Sequence, residues 1–340
     1  MRPAPIYAVS LDEFASSTGC DIASVPRNVV LVGYRRAQRM WLVAPAAHAN
    51  GENFETRVPI TLRWLDQALH GGDASASFWF PLCFWDGWRE RVRPSDGYRR
   101  VAPGRLDDLD EWGGAPGELP AWSRVRDWVA CYAAHRGDPS AELLPEPYWL
   151  MRGGYAGLFA EVRAATPPWH AREARAIYCG GDHGEVANLY APPPAPGMHP
   201  RRLLRAVVEA AGLPVEVRLG SGAALRDQLA CRWILDVDGM VRTFDAFAWK
   251  MASGSLVLVP DSPWETFFTR AFSPWEHYVP VANDFADLGD RLAWCRDHDD
   301  ACRGIAEAAA RRALEVYEPS RVAREVAAHL RARLAEPPPR

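Results

Sequence analysis

The chain has 340 residues, 48% of them apolar, with a formal net charge of −4 and a pI of about 6.2. That length accommodates about two ordinary domains, each with a core of its own. The slightly acidic balance excludes a nucleic-acid-binding surface, and the lack of any apolar run of about 18 residues excludes a membrane span.

The first half opens with two apolar segments, residues 28–32 and 40–44, that read as strands. Residues 61–69 have the spacing of a short amphipathic helix. Residues 77–84 (SFWFPLCF) form an aromatic strand that ends at Trp85-Asp86-Gly87-Trp88. Residues 92–121, rich in Pro, Gly and Asp, predict a long loop. Helical spacing returns over 122–135, a strand is expected over 145–150 and a helix over 155–165. The N-terminus has no basic end followed by an apolar segment, so no secretory signal is expected there.

The second half alternates more regularly. A strand at 174–178 runs into Cys179-Gly180-Gly181-Asp182-His183-Gly184. A proline-rich loop (191–200), a helix (201–211), a strand (215–219), a helix (223–230) and a strand (232–237) follow. The last of these ends in Asp236-Val237-Asp238-Gly239. A helix-length segment, a strand at 255–260, an aromatic helix and a short strand at 277–281 come next. Helices over 284–298, 299–317 and 319–334 close the chain, with a frayed tail. Strands alternating with helices at this spacing predict an α/β fold with a parallel sheet, whose ligands bind beyond the carboxyl ends of the strands.

Two loops have the composition of a phosphate cradle. Gly180 and Gly181 let backbone approach an anion closely, and the turn Asp238-Gly239-Met240-Val241-Arg242-Thr243 lies between a strand and a helix. Arg242 supplies a guanidinium there and Thr243 a hydroxyl that can cap the helix. Lys250 is the only lysine among 39 basic residues. It reads either as a phosphate contact or as a cation in the last turn of a helix, favourable to the helix dipole. The bias toward Ala, Gly, Pro and Arg points to a GC-rich, bacterial genome. Seven scattered cysteines (Cys20, Cys83, Cys131, Cys179, Cys231, Cys295, Cys302) without a CxxC pair fit reduced thiols in a cytoplasm. The nine histidines lack metal-site spacing. Of the 15 tryptophans, Trp79, Trp85 and Trp88 cluster about Asp86, with Trp112, Trp122 and Trp128 nearby in sequence. Most are expected in the core and one or two in a sugar-binding cleft.

Residues 231–317 resemble the CAP10-like glycosyltransferases of family 90, which include protein O-glucosyltransferases, capsule xylosyltransferases and lipopolysaccharide-modifying enzymes. The resemblance rests on the strand ending in Asp236-Val237-Asp238-Gly239, the GSLVL run at 254–258 and the PWEHYVPV run at 274–281. It also rests on the D-x-x-D-L of 284–288 and on Trp294 followed by Asp299-Asp300. It implies a GT-B fold of two Rossmann-like domains facing across a cleft. The expected division is an acceptor domain over 1–170, a nucleotide-sugar domain over 171–318, and a helix with its tail over 319–340 that packs back on the first half. The implied activity is inverting transfer from a nucleotide sugar, a UDP-sugar, to a hydroxyl of a glycan or lipid-linked surface precursor. It would need no metal and would act in the cytoplasm at the inner face of the membrane.

The resemblance makes Asp86, at the end of an N-terminal strand, the general base, with Asp73 or Glu90 as replacements. It also brings Glu265 near the donor. The chain departs from the family pattern in three ways. Cys179-Gly180 stands where Arg-Gly is usual, Thr243-Phe244-Asp245 stands where a hydroxyl pair and an arginine are usual, and one extra residue precedes Gly254. Two alternatives follow from the residues. Loss of these cations suits a glycosyltransferase-fold binding protein. The ILDVDGMV run also matches a haloacid-dehalogenase phosphatase, with Asp236 as nucleophile, although that family needs its motif at the start of the domain. A metal held by Asp236 and Asp238 belongs to the GT-A class and is not expected.

Overall fold

A computed structural model of the chain describes residues 3–18, 29–45, 52–70, 77–84, 86, 126–184, 198–220 and 225–336. These residues form two compact units. One runs to Met151 and resumes at Pro319; the other is Arg152–Glu318.

The first unit contains β1 (Ile6–Ala8), α1 (Leu11–Thr18), β2 (Val29–Arg35), β3 (Met40–Pro45), α2 (Glu52–His70) and β4 (Phe78–Cys83). After them come β5 (Val129–Cys131), β6 (Ala133–His135), β7 (Ala141–Leu143) and α3 (Pro147–Arg152). The sheet order is β1-β3-β2-β4-β5-β7. β2 runs antiparallel to both neighbours, while the pairs β1/β3, β4/β5 and β5/β7 are parallel. The VVLVGYR run makes β2 because both faces of the strand are covered, and a continuous apolar run suits a doubly buried strand.

Two expectations give way here. Residues 129–135 are strands, not a helix, because Val129, Ala130 and Cys131 pair with Ala141, Glu142 and Leu143, and Ala130 also pairs with Leu82. Sheet pairing on two flanks outweighs the weak helical preference of an alanine-rich segment. Residues 147–152 are a helix, not a strand; Pro147 opens it, where a proline lacks only a donor the helix would leave unpaired.

The second unit contains α4 (Ala156–Ala165), β8 (Glu173–Gly180), α5 (Pro200–Ala211), β9 (Val215–Leu219), α6 (Leu225–Leu229), β10 (Cys231–Leu235) and α7 (Asp245–Ala252). β11 (Leu256–Pro260), β12 (Trp264–Thr266), β13 (Val279–Val281), α8 (Leu288–Asp297) and α9 (Asp299–Val316) complete it. Its five-stranded sheet has the order β13-β11-β10-β8-β9, and every pair is parallel. The aromatic segment expected as a helix is β12 plus a 3-10 turn at Thr269–Ala271. α5 starts on Pro200 and stops at Gly212, whose φ of 58° is the left-handed conformation a helix end requires and glycine adopts without strain. The core beneath α5 and α8 contains Tyr178, Leu204, Trp233, Leu235, Leu258 and Phe285. α9 turns an alanine face (Ala306, Ala309, Ala313) inward and packs on α7 and β11.

The last helix, α10 (Pro319–Ala335), belongs to the first unit. Its His329 and Arg333 both reach the Glu142 carboxylate on β7, and Arg331 donates to the Leu69 carbonyl at the end of α2, 2.7 Å away. Arg126 donates to the carbonyls of Leu334 (3.3 Å) and Glu336 (2.6 Å), satisfying acceptors that a helix C-terminus leaves open. No helix among the described residues is long and apolar enough to cross a membrane.

Candidate functional site

β8 and β10 are neighbours in the second sheet, but the chain leaves them in opposite directions. It goes from β8 to β9 on one flank and from β10 to β11 on the other. This is the topological switch point of an open parallel sheet, where diverging connections leave a crevice beyond the carboxyl ends. The two glycine-containing loops singled out from the sequence follow these two strands.

Arg201, in the first turn of α5, joins the loops. Its Nη1 donates to the Gly181 carbonyl at 3.0 Å and its Nε to the Asp238 carbonyl at 3.1 Å. Glycine at 239 leaves room for this: a Cβ there would stand 2.9 Å from Arg201 Nη2 and push the guanidinium aside. The loops also touch directly, since a Cβ on Gly184 would lie 3.2 Å from the Gly239 carbonyl oxygen. Sequence reading missed Arg201. The available signal was a first helical turn carrying Arg201 and Arg202 and no acid, the reverse of what the helix dipole favours unless an anion is to be bound there.

Beneath the second loop lies a buried charge network. Asp236 is fully buried. Lys250 Nζ donates to its Oδ1 at 2.8 Å, and Thr243 Oγ1 stands 2.8 Å from both carboxylate oxygens. Burial works to raise the Asp236 pKa, but the charges of Lys250 and Arg242 and these hydrogen bonds outweigh it and hold the carboxyl below its ordinary value. Asp238 goes the other way: burial lifts it, and Arg242 and Ser262 offset that only in part. Ser262 donates to Asp238 Oδ2, and Arg242 Nη1 lies 3.4 Å from Oδ1 and 3.2 Å from the Pro260 carbonyl. Arg242 is 5% exposed and stacks over Phe247, so its guanidinium faces inward. Lys250 is 2% exposed and contacts Asp236, with the rings of Tyr178 and Trp249 on its flanks. Thr243 donates to Asp236, and the N-cap position of α7 falls one residue later on Phe244, whose side chain has no acceptor to offer the helix. Asp236 is thus shut off from solvent and cannot act as a phosphatase nucleophile in this arrangement.

Beside the first loop, Asp182 accepts two hydrogen bonds from Arg202, both 2.8 Å, and a third from His199 at 3.1 Å. The Arg202 hydrogen bonds lower the Asp182 pKa to about 2. Met240 is the exposed tip of the other loop and Val241 is buried. Glu265, half-buried in β12, joins neither loop by a hydrogen bond among the described residues.

Asp86 lies in the first unit, just past β4. Arg57 on α2 holds it: Nη2 is 2.9 Å from Asp86 Oδ1, while Nη1 donates to the Phe84 carbonyl at 3.3 Å. Asp86 keeps 26% side-chain exposure and Arg57 only 8%. Trp128 is a core residue stacked on Phe80, and Trp79 is half-buried. Asp73, Glu90, Trp85, Trp88, Trp112, Trp122 and the loop expected over 92–121 lie outside the described residues.

Comparison with known proteins bears on the second unit. Residues 158–323 match the sequence model of "Glycosyl transferase family 90". Human protein O-glucosyltransferase 3 is 32% identical over 91 residues, 27% of this chain and 18% of that protein. Uncharacterized protein 179R of Invertebrate iridescent virus 6 is 28% identical over 120 residues, 33% of this chain and 10% of that protein. The chain therefore aligns with less than a fifth of the length of either relative. Among solved structures, Anabaena HepE in complex with UDP aligns at a TM-score of 0.33 and 14% identity, covering 52% of this chain and 45% of its own. A glycosyltransferase from Rickettsia africae aligns at a TM-score of 0.38 and 9% identity, covering 98% and 91%. At the level of family, the block from residue 158 to residue 323 is thus similar to the family 90 glycosyltransferases.

Proposed function

We propose that the chain is an inverting glycosyltransferase of GT-B type that takes a sugar from a nucleoside diphosphate, a UDP-sugar, and delivers it to a hydroxyl of a glycan or lipid-linked surface precursor. The observation that carries the reading is the Arg201 bridge between two glycine-containing loops at the switch point. A diphosphate is held by backbone N–H donors, a helix N-terminus and a guanidinium, and the start of α5 with the Arg201 guanidinium beside the two loops supports that reading. The donor seat we propose is made by Gly180, Gly181, Asp238, Gly239, Met240, Val241 and Thr243, with Glu265 toward the sugar and Arg242 holding the turn from below. Arg201 takes the part of the family arginines missing at Cys179 and Phe244-Asp245. The relatives named protein O-glucosyltransferase favour a sugar donor of this class.

The proposed chemistry uses no metal. The four carboxylate oxygens of Asp236 and Asp238 all accept from or lie beside protein donors (Lys250, Thr243, Arg242 and Ser262), which leaves the pair poorly disposed to ligate an ion. Asp86 is proposed as the base that takes the acceptor proton, oriented by Arg57. The six described cysteines carry no disulfide, in keeping with a reducing cytoplasm, and an acceptor on a lipid carrier would be met at the inner face of the membrane.

Calorimetry with UDP and UDP-sugars tests the reading. Binding is expected without added metal and unchanged by EDTA. At about 100 times Kd it should stabilise the protein by roughly 2.7 kcal/mol. Arg201→Ala should weaken binding by about 1.5–3 kcal/mol, the range for hydrogen bonds to charged groups. A chain that binds no nucleotide sugar would sink the proposal. A second reading, a binding protein without turnover, draws on the inward-facing Arg242; tight donor binding with no transfer to any glycan acceptor would favour it.

A further inference from the structure

The turn that leads into β13 holds an exposed tryptophan against its backbone preference. Trp275 is 43% exposed and has a φ of 63°. That left-handed conformation is an outlier for a bulky side chain and persists only where the surrounding structure fixes it. Here the turn is closed from both sides. Trp275 N–H donates to the Tyr278 carbonyl at 2.7 Å, and His277 N–H donates to the Ser273 carbonyl at 3.0 Å. Ser273 N–H donates to His277 Nδ1 at 3.0 Å, and the His277 ring is buried, edge-on to Phe272. The indole is braced as well. Arg291 on α8 stands over it, 5.1 Å from the ring centroid, and Trp294 meets it nearly edge to face at 5.0 Å. His298 stacks on Trp294 in turn, 4.9 Å away. Trp275 precedes β13, so it lies at the amino end of the parallel sheet, away from the crevice beyond the carboxyl ends.

We propose that Trp275 is the platform of a second, non-catalytic carbohydrate site, which takes a pyranose ring of a neutral glycan chain against the indole. A pyranose has a C–H face that packs on an aromatic ring and hydroxyls around its edge that need donors and acceptors. The exposed Glu276 carboxylate and the exposed His298 ring supply polar groups beside the indole. The ligand is neutral because the cation over the ring is already matched: Asp287 Oδ2 accepts from Arg291 Nε at 2.9 Å and lies 2.8 Å from Nη2. A docked protein would want a contiguous apolar patch of a few hundred Å². The other large exposed apolar side chains described in the second unit are Met240, on the loop after β10, and Leu314, roughly 22 Å along α9 from its start. Neither extends the indole. A braced ring loses little freedom when a ligand arrives, which favours the weak, shallow binding of a sugar. The site goes beyond the donor reading and does not depend on it.

The experiment is affinity electrophoresis of the full chain through native gels containing dextran, xylan or mannan, one polysaccharide to a gel. The wild type should be retarded in at least one of them relative to a plain gel. Trp275→Asn should weaken that binding by about tenfold. Asparagine tolerates the left-handed backbone, so this variant should melt close to the wild type, which separates a binding role from a structural one. Trp275→Tyr keeps a ring and should keep part of the retardation. On the unaltered chain, oxidation of Trp275 by N-bromosuccinimide, located by peptide mass spectrometry, should be slowed by the polysaccharide that retards the chain. Migration unaffected by all of the polysaccharides, or a Trp275→Asn chain retarded as strongly as the wild type, overturns the inference. Calorimetry with UDP tests the donor reading separately, and Trp275→Asn should bind UDP as the wild type does.

Discussion

Removing the Lys250 ammonium would leave Asp236 ionised in a site from which water is excluded, with Thr243 and the more distant Arg242 as its remaining support. Breaking a buried pair on one side costs about 3–5 kcal/mol. Lys250→Met should therefore destabilise the chain strongly in urea unfolding, and Asp236→Asn combined with it should recover part of the loss. A single variant as stable as the wild type would contradict the pairing. The Asp236 pKa is lowered in the folded state, so its contribution is complete above the unfolded aspartate value of about 3.9 and is lost as pH falls through the lower folded value. Asp238, whose pKa is raised, acts in the opposite sense and weakens stability as pH rises above that unfolded value. Asp86 is a different kind of acid, half-open and held at one oxygen by Arg57. In its proposed role as general base it would be worth about 10²–10⁴-fold in rate, so Asp86→Asn should lower turnover by that factor and spare donor affinity. Near-normal turnover in the variant would remove it from the mechanism. At this scale the sequence was legible where neighbours along the chain do the work, as in the Asp236–Thr243 turn. It was opaque where partners are far apart: Arg201 reaches carbonyls 20 and 37 residues away, and no local pattern announces that.

Elements followed the same division. The strands and helices of 173–260 could be read from alternation because the apolar segments Ala176–Cys179, Trp233–Leu235 and Leu256–Pro260 are each closed by a glycine or an aspartate. In the first unit, β5 escaped because its identity is decided by β4 and β7 on either side and not by its own three residues. The position of α10 depends on a contact of that kind. Glu142 on β7, nearly buried, receives both His329 and Arg333. Glu142→Ala takes away the shared acceptor of His329 and Arg333; Arg333 keeps Glu336, and His329 is more than half exposed, so solvent screens part of its loss. The expected cost is about 1–2 kcal/mol, concentrated in α10. Hydrogen exchange should reveal faster opening of residues 319–335 with no change in β10 amides; uniform acceleration throughout the chain would argue against a local clamp.

On the scale of the whole molecule, the described residues of the second unit all fall within Arg152–Glu318, while those of the first come from chain on both sides of that stretch. The ends of the second unit are clasped together. Tyr317 lies against Tyr155 and Phe159 with ring centroids 5.5 Å apart in each case, and against Phe268 at 4.2 Å. Aromatic pairs of this kind add about 0.5–1.5 kcal/mol each beyond simple burial. The stretch also carries the whole five-stranded sheet and both glycine-containing loops. An excised fragment of residues 152–318 should therefore fold by itself and bind UDP with an affinity close to that of the full chain. A fragment without a cooperative melt would mean that the aromatic clasp does not suffice to close the unit.

That arrangement has a consequence for how the chain is born. Domains generally fold as units while synthesis proceeds from the N-terminus, yet here the half that emerges first cannot finish first. β1 to β7 must wait, with the Glu142 carboxylate and the acceptors of α2 unmatched, until the ribosome has released the whole intervening stretch and then α10. The second unit can be complete and closed by Tyr317 before the first has received its last helix. Order of manufacture and order of completion are reversed, and the waiting sheet is the stage at which apolar surface and strand edges stay open longest.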